Sequence, residues 1–298
     1  MRKHPVLIGL LILCFIGLVF FIAVIRLNRT FNDSKLFALK DKVGVITVEG
    51  MISDSKTTLR QIDEFTDDES IRAVVIRIES PGGGVVPSQE IYQAIKELRK
   101  KKRVVASMGS LAASGGYLIA CSAEKIVANP GTITGSISTI MHFANAQDLL
   151  KKIGLKASSI QSGKYKDIGS PAREMTADEK AILQSVVDDT HEQFLNVVAT
   201  CRKIPKETLR SIADGRIFTG QQAKKIGLVD EIGDQRYAVR LVSKMAGLVG
   251  EPETVYPKTP RQNIWDYLLQ GLKLSLGRQV DDMESSYQGL SYLAVQRL

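Results

Sequence analysis

From residue 42 onward, short and almost continuously apolar runs alternate with amphipathic stretches, and this alternation restricts the fold more than any other feature of the chain. "KVGVITVEG", "RAVVIRIES" and "RVVASMG" read as strands, with "TTLRQIDEFTDDE" and "PSQEIYQAIKELRKK" as helices between them. Strands with few polar positions are covered on both faces, so the pattern predicts an α/β protein with largely parallel strands. "KIVANPG", "SISTIM" and "KASSIQ" read as further short strands. "TADEKAILQSVVDDTHEQFLNVVATCR" reads as a long helix, with Thr176 as N-cap and Glu179 completing a capping box. "DGRIFTGQQAKKIGLVDEIG" gives strand, helix, strand. Past Gly250, "EPETVYPKTP" reads as an extended linker and "RQNIWDYLLQGLKLSLG" as an amphipathic stretch. The expected organisation is an anchor over 1–29, a juxtamembrane linker over 30–41, a main domain over 42–250, and a linker with an amphipathic tail over 251–298.

The anchor is read from residues 5–25, an uncharged run that at 1.5 Å per residue spans roughly 30 Å, the thickness of a bilayer core. It is longer than the apolar region of a cleaved signal peptide, and "RLNRTF" after it offers no small-x-small cleavage site. Arg2 and Lys3 precede the run; Arg26, Arg29, Lys35, Lys40 and Lys42 follow it. Because large domains can be translocated regardless of such charges, charge alone leaves the orientation open.

The net charge of +8 is unevenly placed: residues 1–42 hold seven Lys/Arg against two Asp/Glu, leaving only +3 for the other residues. The basic balance therefore belongs to the membrane-proximal segment and argues against a nucleic-acid-binding domain. Cys14 lies inside the apolar run; Cys121 and Cys201 remain, without a C-x-x-C or Cys/His cluster. No structural metal site and no cofactor are expected, and the two cysteines read as buried free thiols.

Three stretches could carry chemistry. "AASGGY" places Ser114 between small residues, and a helix beginning at Ser114 or Gly115 would aim N–H groups at an oxyanion. "SPGGG", Ser80 to Gly84, follows a strand and reads as a turn that either exposes N–H donors or is purely structural. A nucleophilic serine needs a base. His4 precedes the apolar run and His191 lies mid-helix, which leaves His142 as the one imidazole candidate. The other option is a lysine kept neutral by desolvation or a neighbouring cation, with Lys164 and Lys166 in "SGKYKDIGSP" as candidates.

Taken in order, "SPGGG", "MGSLAASGGYLIA", "NPGTITGSIS", "SGKYKDIGSP" and "DGRIFTGQQAKKIGLVDEIG" resemble the SppA-type Ser/Lys proteases, the signal peptide peptidase A family, over residues 42–250. The resemblance implies a Clp/crotonase-like fold of stacked β-β-α units with an N-terminal transmembrane helix. It implies Ser114 as nucleophile, Lys166 as general base, Gly83 and Gly115 as oxyanion-hole donors, and Ser136 as support for the lysine. It further implies a homo-oligomeric ring at the cell membrane, single-pass, with the N-terminus cytoplasmic and the catalytic domain outside. The serine and lysine of each site would come from neighbouring protomers, and the substrates would be cleaved signal peptides and other unfolded segments. Two rival readings use the same fold: a Clp-like Ser-His-Asp protease with His142 as base, and a non-catalytic membrane scaffold. A crotonase-type acyl-CoA enzyme would explain neither the serine–lysine pair nor the anchor.

Overall fold

The apolar runs become strands because each supplies side chains to two covered faces. The computed structural model describes residues 15–22, 41–258 and 291–293. The chain divides into two compact units, Met1–Asp41 and Lys42–Leu298.

In the first unit, residues 15–22 form helix α1. Phe15, Ile16, Leu18, Val19, Phe20 and Phe21 are all exposed on it. The rest of the 5–25 run lies outside the described residues, as does "RQNIWDYLLQGLKLSLG". Among the described residues, no helix is long and apolar enough to cross a membrane.

The second unit opens with β1 (Lys42–Glu49), α2 (Lys56–Asp67), β2 (Ile71–Ser80), β3 (Gly82–Gly84), α3 (Val85–Lys101) and β4 (Arg103–Ala113). It continues through α4 (Gly115–Ala120), β5 (Lys125–Ala128), β6 (Ile133–Gly135), α5 (Gln147–Lys152) and α6 (Ala177–Arg202). Then come α7 (Lys206–Arg210), β7 (Ile217–Thr219), α8 (Gly220–Lys225), β8 (Glu231–Ile232), α9 (Gln235–Met245), β9 (Glu253–Val255) and β10 (Ser291–Leu293).

The main sheet runs β7-β6-β4-β2-β1-β9, with β5 joining β4 and β8 joining β5. All these pairs are parallel except β6 with β7. Strand β4 changes partner along its length, pairing β5 through Val105–Met108 and β6 through Leu111–Ala113. The sheet forks there, and the upper end of β4 is carried toward β6.

Period-two alternation sorts the core. Ile46, Val74, Ile76, Val104 and Met108 pack with Ile62, Ile91 and Leu118 on one face. Val43, Val45, Val75, Val105 and Val127 pack with Ala238 and Val242 of α9 on the other. Both faces are covered by buried apolar side chains, as the continuous apolar runs require. Helix α6 begins at the expected capping box: Thr176 accepts from the Glu179 N–H, and the Glu179 side chain accepts from the Thr176 N–H. Phe194, Leu195 and Val198 fix its far half in the core.

Four expectations change. Residues 156–161, "KASSIQ", form no strand and are exposed; Ala157 and Ile160 are three apart, so they build no single apolar face, and no strand of the described residues pairs with them. "SISTIM" contributes a single bridge residue, Ile140. "SPGGG" is not only a turn, since Gly82–Gly84 form a strand paired with β10. "EPETVYP" contains strand β9, which pairs with β1. Of the cysteines outside the apolar run, Cys121 is buried and Cys201 half-buried, both free; burial pushes the Cys121 thiol up.

Candidate active site

Ser114 is the hinge between β4 and α4. Its N–H donates to the Gly135 carbonyl at 2.8 Å, and its own carbonyl accepts from the Leu118 N–H at 2.9 Å. The backbone there is bent to φ 53°, ψ −118°. A non-glycine residue in such a conformation costs about 1–3 kcal/mol, and it persists only where the surroundings impose it. Here they do: Ala112, Ala113, Gly115 and Gly116 around it are all buried. A Cβ on Gly116 would lie 3.0 Å from the Ser80 carbonyl, so the turn passes tightly over the end of β2. Tyr117 anchors α4 from below, its hydroxyl donating to the Leu228 carbonyl at 2.8 Å.

The Ser114 Oγ is buried and has no hydrogen-bond partner among the described residues. Buried hydroxyls are nearly always paired, and one left alone costs about 1–3 kcal/mol.

The strand β3 runs beside this junction. Ser80 Oγ donates to the Gly50 carbonyl at 2.6 Å and accepts from the Gly82 N–H at 3.1 Å. Ile52 ties down the flanks, accepting from the Gly84 N–H at 2.8 Å and donating to the Gly82 carbonyl at 2.9 Å. A Cβ on Gly83 would lie 2.3 Å from the Ile52 carbonyl oxygen, so only glycine fits. On its other side β3 pairs antiparallel with Ser291–Leu293, Tyr292 standing opposite Gly83. The glycine strand thus offers its backbone to an extended segment.

Gly115 is the first residue of α4, directly after Ser114. Ser136 is brought alongside by the β4–β6 ladder, in which Ala113 pairs with Gly135 and places Ser114 and Ser136 next in register. Ser136 is itself bent to φ 51° and donates its N–H to the Arg216 carbonyl at 2.8 Å.

The candidate bases are placed differently. Lys166 is exposed in a turn-rich segment, its N–H donating to the Gly163 carbonyl at 3.1 Å. Lys164 pairs with Asp178 at 3.0 Å and lies over the Tyr165 ring. Tyr165 and Asp178 hold its ammonium protonated, its pKa raised, which disfavours it as a base. His142 is exposed in the irregular segment after β6. Within one chain, therefore, neither Lys166 nor His142 bonds to Ser114 Oγ. Ser114, Gly115 and Ser136 share one ladder and helix start, whereas the lysine stands on a separate surface segment.

Sequence reasoning missed Arg173 on that segment, which donates both to Asp167 and to Glu179 in the first turn of α6. The capping box marked Glu179 only as a helix start.

The geometry sets a buried serine at a strand–helix turn beside a glycine strand paired with an extended segment. Comparison with known proteins supplies the class. The model of peptidase family S49 matches residues 96–249. A Synechocystis sp. protein that bears a protease name is 44% identical over 218 residues, covering 72% of this chain and 78% of the relative. An Enterococcus faecium protein bearing the name signal peptide peptidase SppA is 32% identical over 221 residues, 70% of this chain and 64% of the relative. Protease 4 of Haemophilus influenzae is 34% identical over 221 residues, 70% of this chain and 35% of the relative. The chain belongs to peptidase family S49 and is a serine protease of the SppA type.

Proposed function

We propose that this protein is a membrane-anchored endopeptidase that degrades remnant signal peptides and other unfolded segments, with Ser114 as nucleophile and Lys166 as general base. The observation that carries the reading is the buried, partnerless Ser114 hydroxyl at a strained turn of an S49 protease. The neutral Lys166 amine takes the Ser114 proton as Oγ attacks the peptide carbonyl carbon. The N–H groups of Gly83 and Gly115 stabilise the oxyanion. The resulting ammonium gives its proton to the departing amine, and water then releases the acyl group from Ser114. The Ser136 hydroxyl orients the lysine. No metal or cofactor enters any step.

Substrate lies as an antiparallel strand on β3, the mode in which β10 already occupies that edge. The segment then competes with substrate. Removing residues 291–298 is expected to lower KM several-fold without lowering kcat, measured on an unstructured peptide. An unchanged KM would place the peptide elsewhere.

The dyad is completed between protomers of a ring. Supporting this, Phe143, Leu149, Ile153, Leu155 and Ile160 are all exposed along the segment leading to Lys166. Such a patch marks a protein interface. The 5–25 run holds the ring at the cell membrane with the N-terminus cytoplasmic and the catalytic domain outside; the exposed apolar side chains of α1 suit a lipid environment.

The test of the base is a pair of variants assayed on peptide cleavage. Lys166→Ala is expected to lower kcat by about 10²–10⁴-fold, and His142→Ala to leave it unchanged. Full activity in the lysine variant would overturn the dyad, and loss in the histidine variant would favour Ser-His-Asp chemistry.

A further inference from the structure

We propose that Arg173 is a positioning residue for Lys166, its guanidinium bridging Asp167, the next residue in the chain, to Glu179 in the first turn of α6. The proposal rests on the reading of Lys166 as the base.

The segment around Lys166 is tied at its edges, by the exposed Lys164–Asp178 pair at 3.0 Å and by the Ala146 N–H on the Pro171 carbonyl at 2.7 Å. At Lys166 itself the backbone bonds are local turns: Lys166 N–H to Gly163, Ile168 N–H to Tyr165, Ser170 N–H to Asp167. From residue 156 to 175 no residue is buried. A lysine on a four-carbon stem in such a segment would reach its target from many directions. A misplacement of about 1 Å at a reacting group can lower a rate by about 10²-fold, so something must fix the backbone beneath it.

Arg173 supplies that link. Its Nη2 donates to Asp167 Oδ1 at 2.7 Å and its Nε to Asp167 Oδ2 at 3.1 Å. Ser159 Oγ donates to the same Oδ2 at 3.0 Å. The other edge of the guanidinium reaches Glu179, Nη1 donating to Oε2 at 2.9 Å. Glu179 is only 3% exposed and accepts the Thr176 N–H at 2.8 Å, so it is fixed to the start of α6. That helix is in turn fixed in the core by Phe194, Leu195 and Val198. Rigidity therefore passes from core to α6, to Glu179, to Arg173, to Asp167, and so to the residue beside it.

The chemistry requires arginine. A planar fork can address two carboxylates at once with fixed geometry, whereas an ammonium is a point charge that cannot hold both planes. Arg173 holds both the Asp167 and the Glu179 carboxyls down at about 2. Depressed carboxylates contribute their binding above the ordinary carboxylate range and lose it only as pH falls toward 2, so the link is intact wherever the enzyme works. The Arg173 side chain is 34% exposed, and partly exposed ion pairs add little to global stability. Its value is in direction.

The experiment uses the full chain. Arg173→Gln is expected to lower kcat on a peptide substrate by about 10–100-fold with KM, melting temperature and assembly size unchanged. Arg173→Lys should recover only part of the loss. Labelling of Ser114 by a fluorophosphonate should slow by the same factor as kcat. In a Lys166→Ala background, Arg173→Gln should slow labelling no further, because it acts through the lysine. If Arg173→Gln lowers the melting temperature, Asp167→Asn cuts the same link while leaving Arg173 on Glu179, and should show the same kcat loss. Full kcat in Arg173→Gln or in Asp167→Asn, with Lys166→Ala inactive, overturns the link alone. Equal slowing with and without Lys166 also overturns it, leaving a merely structural residue. Full activity in Lys166→Ala would remove the base assignment, and the link with it.

Discussion

Ser114→Ala is expected to abolish peptide cleavage, by at least about 10³-fold in kcat, and at the same time to stabilise the protein. The two effects have one cause. Within a single protomer the Oγ is buried without a partner among the described residues, so folding, before a neighbour's lysine docks, leaves a hydroxyl desolvated and unpaired. Removing it relieves about 1–3 kcal/mol. The bent backbone at φ 53° remains, because alanine is no freer there than serine. For a domain of this size, 1 kcal/mol shifts the melting temperature by about 2–4 °C. The measurement is thermal unfolding of dispersed protomers, where no neighbouring lysine reaches the Oγ, beside a peptidase assay of the assembled protein. A serine with a structural role would show the opposite, a lower melting temperature and retained turnover. Ser80 provides a control, since its buried Oγ bonds to both Gly50 and Gly82 and its loss should destabilise.

Why the strand–helix turn at Ser114 could be read from sequence, and other parts of the fold could not, follows from the range of the interactions. Small residues on both sides of a serine, placed where a strand gives way to a helix, are a local pattern. The same holds for β2 and β4, whose apolar runs record that both faces are covered, and for Thr176 with Glu179, a cap that closes within one turn. The glycine strand is different. Gly82–Gly84 carry no side-chain alternation, and their partner Ser291–Leu293 is far along the chain, so nothing local announces the pairing. "KASSIQ" fails in the reverse sense: it reads as a short strand, but its apolar Ala157 and Ile160 fall on opposite faces and no described residue supplies a neighbour's backbone. The lysine is the extreme case. Spacing left Lys164, Lys166 and His142 open, and it was family resemblance that singled out Lys166. The Asp178 pair holding Lys164 is visible only in three dimensions.

The separation of Ser114 from Lys166 leads to the second large effect. Inactive Ser114→Ala and inactive Lys166→Ala chains, assembled together, are expected to regain about a quarter of wild-type activity if each site takes its serine from one protomer and its lysine from the next. A site works only where a chain with intact Ser114 precedes one with intact Lys166. In a ring filled at random from equal amounts, each condition is met half the time, which gives the quarter. If both residues act within one chain, every mixed assembly stays inactive, because each chain lacks one of them. Mixed rings are verified by carrying different tags on the two variants and recovering both together. Two features of the fold favour the shared arrangement. Ser114 Oγ finds no partner among the described residues of its own chain, and the route to Lys166 exposes Leu149, Ile153, Leu155 and Ile160 where a neighbour would cover them. A charged substitution at Ile160, which is fully exposed in the single chain, separates assembly from chemistry. It should leave the isolated domain folded but dispersed into inactive protomers, and active protomers would place the whole dyad in one chain.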